Sequence, residues 1–235
     1  MTFHELFSEW KQKYQIDAFI SDGIVDNAQY AHPHILFVLR DMNLKWKQER
    51  DLCEDLRCDG SGWKTWNNVG RWTAALLDGD ASYPFDMSTD KRIAQLRRVA
   101  VMNLKKEGGG PRTDRSALEI AVQKQALLIR QEISMCTPEL IVCCGLPSGK
   151  YKGNADLLKS YVFEKSTKWT TFHSALEGRE WGYYYADIDG NQIPVISFCH
   201  PQVSALNKLH GHEALFKPLY QDMLTIRKLF LGKRG

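Results

Sequence analysis

Long apolar runs are missing from this chain. None reaches the ~18 consecutive apolar residues that a membrane-spanning helix requires, so no membrane partner is expected. The apolar stretch of a secretory signal is missing too. Phe3, Leu6, Phe7, Trp10 and Tyr14 instead recur at helical intervals over Met1 to Gln15, the pattern of an amphipathic helix, and a cytoplasmic location is the expectation. The chain also lacks any C-x2-C pair. Of its six cysteines (Cys53, Cys58, Cys136, Cys143, Cys144, Cys199), three lie in or beside apolar runs, and Cys53 and Cys58 have no second pair to complete a zinc or iron–sulfur site. Reduced thiols and no metal are expected. A large excess of one charge is missing as well: 31 Lys and Arg against 28 Asp and Glu leave +3, which by itself does not mark a nucleic-acid binder. There is no internal repeat. The only low-complexity piece is Gly108-Gly109-Gly110, followed by Pro111, in a loop expected to be mobile or to approach a ligand closely.

What is present is enough to build one folded domain over residues 1–235, because 43% hydrophobic and 25% charged residues exclude a disordered or fibrous chain. Four apolar runs, Ile35–Leu39, Val99–Met102, Leu140–Cys144 and Val195–Cys199, are continuous rather than alternating, as in strands covered on both faces. Helical patterns separate them: Trp66 to Leu77, Ser116 to Cys136 stopped by Pro138, and His212 to Leu231. Alternating strands and helices predict an α/β fold, a three-layer α/β/α sandwich around a central, mostly parallel four-stranded sheet. The segment 169–192, with its Asp189-Gly190-Asn191 turn, reads as an added hairpin, and 44–72 as an insertion rich in charge and tryptophan. Within that insertion, Trp66 and Trp72 read as core residues and Trp46 and Trp63 as a surface on which a base could stack.

In such a sheet ligands bind where the strands end. The first strand is followed by Arg40, Asp41, Met42 and Asn43. The second ends in Asn103, with Lys105 and Lys106 beyond it. The third is followed by Gly145 to Lys150, including Ser148, and the fourth by His200, Pro201 and Gln202. A carboxylate, an amide, a glycine turn and an imidazole therefore converge on one crevice. Each has a plainer reading: Asp41 suits a helix cap, Asn103 a turn, His200 a bonded loop histidine. All of them following strands of one sheet points instead to a site. Lys45, Lys47, Lys105, Lys106, Arg112, Arg115, Lys150, Lys152 and Lys208 follow the same strands and would share a basic rim, unless they are ordinary solvated loop charges. Two tempting motifs fail. Gly145 to Lys150 is one residue short of a phosphate-binding loop and is followed by Tyr151 where magnesium needs a hydroxyl. Cys199, next to His200 on a strand, points to the opposite face and belongs in the core.

The ordered set Leu39-Arg40-Asp41-Met42-Asn43, Val101-Met102-Asn103, Ile141-Val142-Cys143-Cys144-Gly145 and His200-Pro201-Gln202-Val203 resembles the uracil-DNA glycosylase superfamily, over most of the chain from Ile35 onward. The family's first motif reads Gly-Gln-Asp-Pro-Tyr, and here Asp41 falls in register with its aspartate. Asn43 stands where the family has the tyrosine that closes the pocket against a 5-substituent, so the resemblance implies a pocket open to uracil or to C5-modified pyrimidines. It also implies that Asp41 and His200 are catalytic and that Asn43, Asn103, Arg40 and Met42 contact the base. Ser204 and Leu206 would wedge into the gap left by the flipped nucleotide. Lys105, Lys106, Ser148, Lys150 and Lys208 would hold DNA phosphates. DNA, single- or double-stranded, is the expected partner, a monomer the expected state, and no cofactor is required. A non-catalytic binder of modified or damaged DNA and a nucleoside or nucleotide hydrolase are the alternatives from other classes.

Overall fold

A computed structural model describes residues 1–42, 48–60, 64–84, 86–109, 113–202 and 204–232, with the side chains of 204–214 outside that description. The strands are β1 (Ile20–Ser21), β2 (Gly23–Ile24), β3 (Ile35–Leu39), β4 (Arg50–Asp51), β5 (Ala100–Asn103), β6 (Leu140–Cys144), β7 (Thr170–His173), β8 (Glu180–Ile188) and β9 (Asn191–Phe198). The helices are α1 (Phe3–Tyr14), α2 (Leu52–Cys58), α3 (Lys64–Leu77), α4 (Thr89–Leu96), α5 (Arg115–Met135), α6 (Asn154–Leu157) and α7 (Ser204–Ile226).

The main sheet has seven strands in the order β2-β5-β3-β6-β9-β8-β7, not the four expected from the apolar runs. Its centre, β5-β3-β6-β9, is parallel, and those are the four strands legible in the sequence. The flanks are antiparallel: β2 on one side, β8 and β7 on the other. β2 was hidden because two residues carry no periodicity. The hairpin does not stand apart from the sheet but extends it. β9 begins at Asn191, so one strand serves as the hairpin's return arm and as the last parallel strand. The Asp189-Gly190 turn has φ of 52° and 83°, the left-handed pair that a tight hairpin reversal demands.

Continuous apolar strands need cover on both faces, and both are covered. Ile35, Phe37 and Leu39 pack with Trp66, Val69 and Trp72 of α3 and Leu219 and Met223 of α7. Leu36 and Val38 pack with Leu6 and Trp10 of α1 and Val122 and Ile129 of α5. Trp66 and Trp72 are core residues, at 3% and 1% exposure, while Trp46 and Trp63 lie outside the described residues. α7 is tied to the hairpin through buried Asp222, which accepts from Ser174 Oγ (2.6 Å), the Ala175 N–H (2.6 Å) and Trp181 Nε1 (2.7 Å). Among the described residues no helix is long and apolar enough to cross a membrane.

One buried charge cluster overturns a surface assignment. Lys106, expected on the DNA-binding rim, is wholly buried. Its ammonium donates to Asp22 and to Glu132 of α5 (2.8 Å), and lies over the rings of Phe7 and Trp10 at 5.6 and 5.1 Å. Burial opposes its charge, but the two carboxylates outweigh burial and raise its pKa. Glu132 is itself pushed well above the usual carboxylate range, by burial first, since one lysine faces two acids. Deleting one partner of a buried ion cluster strands the others. Lys106→Met is expected to cost ~3–5 kcal/mol, read from the urea midpoint, and Glu132→Gln distinctly less because Asp22 retains its lysine.

Candidate active site at the strand carboxyl ends

The candidate site lies where the ladder between β3 and β6 ends, at Val38 and Cys143. Beyond their last ladder bonds the carbonyls of Val38 and Cys144 would be left without donors, and the fully buried Asn154 amide supplies both, at 3.2 and 3.1 Å. Asn154 also accepts from Arg40 Nε (3.3 Å), and its own N–H closes on the Gly145 carbonyl (2.8 Å). Arg40 Nη2 reaches the Leu146 carbonyl (3.2 Å). Gly145 has φ of 158°, and a Cβ there would stand 2.8 Å from Asn154 Oδ1 and 2.9 Å from Arg40 Nε. Glycine is therefore required by close approach of side chains, not by a phosphate.

Asp41 follows Arg40 and is held from the neighbouring loop: Thr113 Oγ1 donates to its Oδ1 at 2.5 Å. The glycine-rich loop comes close to Asp41. Gly109 N–H donates to the Met42 carbonyl (2.7 Å), and a Cβ on Gly109 would lie 2.1 Å from Asp41 Oδ2.

His200 follows β9 and is partly buried. The Gln202 N–H donates to its Nδ1 at 3.1 Å. An N–H only donates, so the imidazole proton sits on Nε2, which is left as a donor. Burial, then the charge of Arg40, lowers its pKa to about 4, so the ring is neutral at physiological pH. The loop is braced from α3: Asn68 Nδ2 donates to the Pro201 carbonyl (2.6 Å), and Arg71 holds Asn68 Oδ1 (2.9 Å).

The structure thus brings Arg40, Asp41, the Gly145 loop and His200 to one end of adjacent strands. Asn103 stands beside them, paired with Leu39, but is 3% exposed, and its backbone N–H and amide nitrogen donate to Asp22 (2.7 and 3.2 Å). Met42 needs correction: its side chain is 4% exposed and packs in the core, so it meets the crevice through its backbone. Lys105 pairs with Glu107 at 3.4 Å, and Lys152 with Glu119 at 2.5 Å. Ser148 and Lys150 are on an exposed turn, closed by reciprocal bonds between Ser148 and Tyr151 (3.0 and 3.1 Å). Asn43 lies outside the described residues, as do the side chains of Ser204, Leu206 and Lys208. Thr113, Asn154, Asn68 and Gly109 went unrecognised as site residues. Only Gly109 carried a sequence signal, within its glycine run.

A titration of the His200 imidazole by NMR is expected to show it neutral well below pH 6, with its midpoint near 4. Its folded pKa lies below the ordinary histidine value of 6.5, so the unfolded chain takes the proton first. The stability this group contributes is then lost as pH falls from about 6.5 toward 4 and changes no further below that. A midpoint near 6.5 would refute the buried, arginine-flanked environment.

Comparison with protein-family models, with curated proteins and with solved structures finds no match; what the crevice can do follows from its own chemistry.

Proposed function

We propose that the chain is a monofunctional DNA glycosylase that hydrolyses the N-glycosidic bond of a flipped uracil or C5-modified pyrimidine and leaves an abasic site. The observation that carries this reading is the placement of two complementary groups at neighbouring strand ends: a carboxylate held by Thr113 and closely approached by Gly109, and a neutral imidazole with Nε2–H as donor. Departure of a base develops positive character on the sugar and negative charge on the base. Asp41 answers the first, by stabilising the sugar cation and orienting water. His200 answers the second, as a neutral hydrogen-bond donor through Nε2–H rather than as an imidazolium acid. Arg40, whose charge helps keep His200 neutral, adds a cation on the side of the departing base.

Strand geometry suits a substrate of nucleoside size. β3 and β9 are separated by β6 alone, which puts their ends ~10 Å apart at the usual strand spacing. Asn103, expected to read the base edge, is 3% exposed with its amide nitrogen bonded to Asp22, so it braces the strand end rather than presenting an edge to the base. The resemblance of Leu39–Asn43, Val101–Asn103, Ile141–Gly145 and His200–Val203 to the uracil-DNA glycosylase superfamily supports the same assignment. Base flipping gives the enzyme access to a bond otherwise inside the duplex.

DNAs carrying uracil or a series of C5-modified cytosines, incubated with the protein and treated with alkali, are expected to break at one class of base. Asp41→Asn and His200→Ala should each slow breakage ~100-fold or more. Binding should weaken as salt rises, through loss of phosphate contacts. DNA binding with no breaks on any base would sink the catalytic reading in favour of a base-recognition module, and turnover of free nucleosides would favour a small-molecule hydrolase.

A second variant probes Asp41 without altering it. Gly109→Ala places a methyl group 2.1 Å from Asp41 Oδ2, so the carboxylate must move. Activity on the same DNAs is expected to fall ~100-fold, the cost of a small misplacement of a reacting group, with the thermal midpoint little changed.

A further inference from the structure

At the opposite pole of the sheet, where β3 and β6 begin, two histidines and a glutamate come together. His32 and His34 flank Pro33 just before β3, and Glu139 immediately precedes β6. Parallel pairing sets them side by side: the N–H groups of Glu139 and Leu140 both donate to the His34 carbonyl, at 2.7 and 3.2 Å. One ligand atom from each of His32, His34 and Glu139 lies within 4.8 Å of the other two. Five strand residues separate this pole from the crevice, roughly 17 Å at the usual rise.

We propose that His32, His34 and Glu139 bind a divalent transition-metal ion of the zinc class, with water completing a four-coordinate site. Two imidazoles and one carboxylate are a donor set that suits zinc, cobalt or nickel and not the all-oxygen preference of magnesium or calcium. The hydrogen bonds prepare the His34 ring for ligation. His34 Nδ1 contacts the Thr137 carbonyl (3.2 Å) and Oγ1 (3.0 Å). A carbonyl only accepts, so Nδ1 holds the proton and Nε2 keeps its lone pair. His32 Nδ1 faces Glu139 Oε1 at 2.9 Å, and the His34 N–H donates to the same oxygen at 3.1 Å. Orientation of a ligating ring through its other nitrogen is the recurring support of histidine metal sites. Thr137 takes this position at φ of 44°, a conformation costly for a β-branched residue that persists where its surroundings demand it.

The site closes with one small movement. The His32 and His34 rings stack at 3.9 Å with a 21° tilt, and lone pairs in near-parallel planes do not converge on one ion. His32, with its side chain 78% exposed, would swing out of the stack, exchanging its contact with Glu139 Oε1 for a bond to the ion. His34 rests against Tyr30, 4.1 Å away and stacked, and stays in place. Bound metal would join the start of β3 to the start of β6 without touching the crevice.

The test is zinc binding to the full chain after removal of chelator, followed by calorimetry and by the visible spectrum of the cobalt form. One equivalent is expected, with the intense bands of four-coordinate cobalt and no competition from excess magnesium. At a hundredfold excess over Kd the thermal midpoint should rise by about 5–10 °C. His32→Ala, at an exposed side chain whose loss leaves folding intact, should weaken zinc at least tenfold, as should Glu139→Gln, whereas Cys58→Ser should change nothing. Absence of stoichiometric zinc in the parent protein, binding unchanged in His32→Ala, or binding lost only in Cys58→Ser would each overturn the site. Glycosylase activity is unaffected by any of these outcomes.

Discussion

Two neighbouring parallel strands can stay together only while each carbonyl has a donor, and a cleft between them begins where that supply stops. Here the Asn154 amide satisfies the carbonyls of Val38 in β3 and Cys144 in β6 at once. Buried without such a partner, each carbonyl would carry a penalty of ~1–3 kcal/mol. With it, the strands separate at no such cost, and Arg40 is clamped onto the same side chain. Arg40 in turn contributes to keeping His200 neutral. The position of the guanidinium therefore traces to one buried asparagine, and through it the part of the imidazole's pKa shift that adds to burial.

The two ends of the sheet are built by different means. At the carboxyl ends, contacts are between side chains and loop backbone, and glycines at 109 and 145 make room for them. At the amino ends, the ladder itself delivers His34 and Glu139 to each other, and the hydrogen bonds that align the His34 imidazole come from Thr137, in the turn before β6. A site for the proposed catalysis would benefit from the first arrangement, since loops can vary around a rigid sheet. A clamp benefits from the second.

The four buried parallel strands were legible because doubly covered strands read as unbroken apolar runs, and their C-terminal residues were legible with them. Arg40, Asp41 and His200 follow from that alone. β2 and β7 were not legible, one too short for any pattern and the other exposed along most of its length. Lys106 illustrates the general limit: a lysine after a strand reads as surface because burying it alone is prohibitive, and the two acids that make burial tolerable lie far away in sequence, at Asp22 and Glu132. Met42 failed for a related reason, since a loop position beside a functional residue can still face the core. The supports of the site, Thr113, Asn68 and Asn154, are polar residues whose importance lies wholly in what they touch.

β9 has two employments, as the return arm of the hairpin and as the strand that delivers His200. Its phase is set by the reversal at Asp189-Gly190, which fixes Tyr183 opposite Ile196 and Gly182 opposite Ser197. Side chains alternate along a strand, so a slip of one position there would exchange the faces of every residue that follows. The imidazole that faces the crevice would then be displaced by an event at the far tip of an exposed turn. The hairpin thus works as a ruler for the site, and the length of chain between Asp189 and His200 is as much a part of the site as its side chains.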